Sequence, residues 1–172
     1  MVEKQLFIDA LELNYKGLFS VKDLFKTIDK LTAERGYKKS EKIRQELVKK
    51  EGKFLTIELR PTKVMTEYYS LMVKMRITID NLKEVDVIID NKKKKMQSGD
   101  INIIFDAWTT TDYEKRWGQK AWTWLLRGFF EKIFFRVHTN KHHGVLVDDT
   151  HFIYNNVKSH LNLHRFILKE KK

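Results

Sequence analysis

All six histidines of this chain fall between His138 and His164, and two pairs, His138 with His142 and His160 with His164, stand four residues apart. On a helix that spacing sets two imidazoles on one face, where zinc can take nitrogen ligands. The rest of a zinc site is missing. No glutamate follows either first histidine to complete an H-E-x-x-H pattern, and Asp148 or Asp149 would supply a third ligand only by folding back. Solvated or capping histidines are the simpler reading, and no metal is expected.

Other catalytic chemistry lacks its residues too. The chain contains no cysteine, which removes disulfides, thiolate zinc sites, thiol nucleophiles and iron–sulfur ligation. It has no G-x-S-x-G elbow, no P-loop and no dinucleotide fingerprint. Glu12, Glu58, Asp106 and Glu114 lie near apolar runs, but acid–base work needs two carboxylates held together in a cleft. Their spacing brings no two of them together. Neither a catalytic residue nor a cofactor is expected.

Charge is the strongest global signal. Lysine and arginine number 34 against 23 acidic residues, a formal net charge of +11, and such a surplus concentrates polyanions around a protein. Lys92, Lys93, Lys94 and Lys95 are four consecutive cations at an expected hairpin tip. Lys74, Arg76 and Arg60 alternate with apolar residues and should share the wet face of a sheet, with Lys42 and Arg44 joining them if the register holds. Phosphates need such a surface, and Tyr68 and Trp108 are the aromatics that could stack bases on it. The competing reading is a solvated, lysine-rich face that discourages edge pairing. Lysine outnumbers arginine 26 to 8, which base composition or thermal adaptation also produces. The polyanion reading therefore requires cations gathered into one area, not interleaved with acids.

The stretch from Trp122 to Val137 reads as an amphipathic helix whose apolar side chains span an arc of about 140°. Trp124 and Phe135 fall on the opposite side, with Gly128 between them permitting close approach. Packing under a following helix would cover that pair, as would a homodimer or a protein partner. Peripheral membrane contact or a ligand pocket is the remaining reading, since a basic, tryptophan-rich amphipathic helix also suits anionic lipid.

The elements that must position these residues follow from periodicity. Gln5 to Lys16 reads as a strand ended by a turn at Gly17. Ser20 with Asp23 has capping-box spacing, Val21, Leu24, Phe25, Ile28 and Leu31 follow at helical intervals, and Gly36 suits the stop. Strands are expected around Ile43 to Leu47, Leu55 to Leu59, Tyr69 to Ile79, Val85 to Ile89 and Ile101 to Ala107, with turns at Glu51 to Lys53, Asn81 to Glu84 and Asn91 to Lys95. Thr111 and Glu114 open a helix running to about His138, with Gly118 as a kink. Lys141 to Gly144 reads as a loop, after which Asp148 or Asp149 caps a last helix through Val157, Leu161, Phe166 and Ile167. One proline and seven glycines in 172 residues leave no interdomain linker. The expectation is a single α+β domain over residues 1–172: an antiparallel sheet of about six strands, one helix after the first strand, and two C-terminal helices on one face.

That arrangement resembles the helix-grip fold of START and Bet v 1-like proteins, although those place two short helices after the first strand. The resemblance implies a carrier holding an apolar ligand between sheet and helix. The phrases from Tyr15 to Ser20, Asp112 to Trp117 and Leu161 to Phe166 are similar to archaeal proteins of comparable length, a likeness that implies lineage and no chemistry. Met1 to Ala10 has no signal-peptide character and no apolar run reaches membrane-spanning length, so a cytoplasmic address is expected. The reading that follows is a non-enzymatic, basic protein contacting RNA or a ribonucleoprotein. A helix-grip carrier and a scaffold subunit or homodimer are its rivals.

Overall fold

A computed structural model describes residues 3–49, 52–66, 69–89, 92–111 and 143–163. In chain order these form β1 (Glu3–Phe19), α1 (Val21–Glu34), β2 (Glu41–Lys49), β3 (Gly52–Leu59), β4 (Thr62–Val64), β5 (Tyr69–Ile89) and β6 (Lys92–Thr111). They end in a helix, α2, over 143–163. The fold is α+β. Its six-stranded sheet runs in the order β1-β6-β5-β3-β2, with short β4 paired to β5 and every ladder antiparallel.

Alternation decides which side of the sheet is buried. Leu71, Val73, Met75, Ile77 and Ile79 of β5 are buried, as are Ile101, Ile103, Phe105 and Ala107 of β6, while the residues between them are more open. Leu24, Ile28 and Leu31 of α1 belong to the same core cluster as these strands, and so do Leu146, Ile153, Val157 and Leu161 of α2. Both described helices therefore close one face. The expected helix between Tyr113 and His138, with Trp124, Gly128 and Phe135, lies outside the described residues.

Local chemistry sets the ends of α1. The Ser20 hydroxyl accepts the Asp23 N–H at 3.2 Å, as the capping spacing predicts. At the other end Gly36 takes φ +79, the Tyr37 N–H reaches the Thr32 carbonyl and the Gly36 N–H reaches that of Ala33. Together these bonds form a Schellman stop.

Three expected breaks are not breaks. β1 does not turn at Gly17 but continues to Phe19, because β6 keeps offering partners, Gly17 to Gly99 and Phe19 to Gln97. Asn81 to Glu84 is no hairpin turn: β5 runs through it, with a register shift between Asp80 and Lys83 and Asn81 at φ 54. The bulge absorbs the left-handed residue and the strand goes on. Gly144 is helical, and Asp148 and Asp149 lie inside α2 instead of capping it.

Candidate polyanion interface

Cations on the outer face of the sheet are matched by carboxylates. Lys74 of β5 sits opposite Asp106 of β6, and its amine donates to that carboxylate at 3.0 Å with both side chains mostly buried. Asp106 also accepts the N–H of Ala10, which stands at φ 49 in the irregular part of β1. This ion pair thus holds a bulge in place. Arg60 donates to Glu58 at 2.6 Å, and exposed Arg76 is the cross-strand partner of the same, buried Glu58. Lys16 meets Asp100 at 3.2 Å, and on the other face, where Glu46 stands opposite Leu55, Lys53 meets Glu46 at 3.8 Å.

The expected cationic set does not gather on this face. The register pairs Arg44 with Ile57 and Ile43 with Glu58, so Arg44 lies on the side of the buried residues, opposite Arg76. The shift between Glu41 and Ile43 and the pairing with β3 set this phase, which numbering from Ile43 as a core residue had reversed. Lys42 falls at that irregularity. Trp108 shares a row with Leu6 and Met72, and its indole nitrogen is shielded from solvent. Tyr68 lies outside the described residues.

The β5–β6 ribbon differs. β3 last pairs with β5 at Leu82, and β1 last pairs with β6 at Gln97. From Val85 opposite Met96 to Ile89 opposite Lys92, the two strands pair with each other alone among the described residues, for a length of about 15 Å. A close approach marks where the ribbon leaves the sheet: a Cβ on Gly99 would lie 2.8 Å from the Asp80 carbonyl oxygen. The Gln97 side chain accepts the Val21 N–H at 3.1 Å and ties this base to the start of α1. Within the ribbon Lys92, Lys93 and Lys94 stand opposite Ile89, Ile88 and Val87, and Lys95 alone faces an acid, Asp86. Lys92 to Lys95 thus belong to β6 instead of forming a turn.

A second charged cluster had no signal in the sequence. Asp149 of α2 is 2% exposed and accepts from Lys63 at 3.0 Å and Arg35 at 3.3 Å. Arg35 also stacks on Phe152 at 3.8 Å. Burial and, after it, the Asp149 charge push the Tyr37 phenol above its ordinary range, so it stays neutral. The partners come from the end of α1, from β4 and from α2. The cluster clamps the last helix onto the first, with the carboxylate fully engaged by two cations.

Of the histidine pairs, only His160 lies among the described residues. Burial lowers its pKa, and Asp23 partly offsets the shift. No protein-family model, curated protein or solved structure matches the chain. Among the described residues no helix is long and apolar enough to cross a membrane.

Proposed function

We propose that this protein is a non-enzymatic nucleic-acid-binding protein that contacts structured RNA, alone or in a ribonucleoprotein, through the β5–β6 ribbon. One observation carries the reading: a four-lysine run extends past the last partners of the sheet, with three of its members opposite aliphatic residues. Cations set opposite aliphatic residues in the ladder can exchange counterions with phosphates, which gives salt-dependent affinity without base-specific readout. The sheet face no longer supports the reading, since Lys74 and Arg60 are engaged internally.

Anisotropy titrations with a structured RNA at several salt concentrations test it. Replacing Lys92 to Lys95 together with glutamine should flatten the salt slope by about 2 to 3 and weaken low-salt binding on the order of 30-fold. Lys74→Gln should leave the slope unchanged. Absence of binding at low salt, or a slope indifferent to the fourfold replacement, rejects the proposal.

A second reading, a carrier of an apolar ligand, draws on the placement of α1 and α2 on one sheet face. Native mass spectrometry after purification with and without nuclease separates the two. Nuclease-sensitive mass supports the first reading, and a small nuclease-resistant ligand supports the second.

A further inference from the structure

β2 is the outermost strand at one edge of the sheet, and among the described residues it pairs with β3 alone. Every side chain from Ile43 to Val48 is exposed. Three of them are aliphatic: Ile43 at 41%, Leu47 at 55% and Val48 at 77%. An open strand with apolar side chains is a template for another strand. The opposite edge of the sheet is a poorer template. β1 carries register shifts between Leu6 and Ile8 and between Ile8 and Leu11, with Ala10 at φ 49. β2 is regular from Ile43 to Lys49.

We infer that β2 pairs antiparallel with β2 of a second copy of this chain, about a two-fold axis at Gln45, so that two sheets become one continuous sheet. Such an axis makes the interface self-complementary: if one residue meets a second, the second meets the first. Hydrogen-bonded and open pairs alternate along an antiparallel ladder. Symmetry therefore restricts the axis to residue positions, never between them. With the axis at Gln45, Ile43 meets Leu47 of the second copy and Arg44 meets Glu46 of the second copy, each contact occurring twice.

The two kinds of contact lie on different faces. Ile43 shares its face with Glu58, and the two aliphatic pairs flank Gln45 there. Arg44 and Glu46 stand opposite Ile57 and Leu55, so the two ion pairs lie on the other face. Moving the axis by one residue sets Arg44 against Arg44 or Glu46 against Glu46. Charges that serve only to blunt an edge would repel a second copy in every register. Here the register that avoids repulsion is also the one that joins the exposed aliphatics.

Light scattering or sedimentation equilibrium on the full chain tests this. At about 100 µM, where a micromolar dimer is mostly assembled, the mass should be twice the chain's 20.7 kDa. Arg44→Glu places glutamate against Glu46 at both symmetric positions and should weaken the dimer on the order of tenfold or more. Glu46→Arg should do the same by opposing arginines. The double exchange R44E/E46R should restore the wild-type mass, and circular dichroism melting should show all variants folded, since these side chains are exposed. A monomer at that concentration overturns the inference. So does a dimer that ignores both single exchanges, or one that the double exchange fails to restore.

Discussion

The body of the molecule and the β5–β6 ribbon use the same residue type in opposite ways. In the body, Lys63 and Lys74 donate to Asp149 and Asp106 at 3.0 Å each, so their charge is fixed in the architecture. In the ribbon, the register sets Lys92, Lys93 and Lys94 opposite Ile89, Ile88 and Val87. A net charge of +11 is thus a poor guide to a surface; what matters is which cations are already occupied.

The sharpest way to break this contrast is to remove an internal acceptor. Asp149→Ala should cost about 3 kcal/mol of stability, because it leaves Lys63 and Arg35 facing a site where their counter-charge was buried. Both cations keep some access to solvent, which holds the loss near the low end for a buried pair. Urea unfolding should show a lower midpoint with the slope unchanged, while RNA affinity at equal folded fraction stays the same. The fourfold ribbon replacement should behave conversely, shifting stability by less than about 0.5 kcal/mol. A large loss of stability in the ribbon variant would erase the distinction.

A smaller effect is expected at the junction of the two regions. Gly99→Ala brings a Cβ to 2.8 Å from a backbone carbonyl, which should cost about 2 kcal/mol and re-aim the arm. Thermal melting reads the first consequence and the RNA titration the second. The smallest effect concerns pH. His160 has a lowered pKa in the folded protein, so the unfolded chain binds its proton more readily. Its contribution is therefore fully present above the ordinary histidine value near 6.5 and declines as pH falls through that value towards the folded pKa. His160→Gln should flatten stability between about pH 5 and 7, measured by urea unfolding at each pH.

How much of this was legible depended on whether the deciding contact was local. α1 was readable because Ser20, its apolar spacing and Gly36 act within a turn or two of themselves. The inward residues of β5 were readable because period-two burial needs no knowledge of the partner strand. Asn81 to Glu84 misled because a turn and a bulge use the same residues, and only the continued pairing with β6 tells them apart. The face of Arg44 was lost for a similar reason, since the β3 register fixes it. Asp149 sits inside a helix, where its residue type favours a cap. Its explanation lies in Arg35, 114 residues earlier in the chain. Of the candidate site, the lysine run was visible from composition; that Lys74 and Arg60 were already spoken for was not.

The pairing of β1 with β6 has a consequence for synthesis on the ribosome. Leu6 finds Trp108 and Phe19 finds Gln97 only after some eighty to a hundred intervening residues have been made, and contacts so distant in sequence close slowly. Until β6 emerges, the nascent chain holds its first strand and α1 with their apolar sides uncovered. The segment from β1 through α1 is thus left with unpaired apolar surface until β6 is made, the condition in which chaperones are needed.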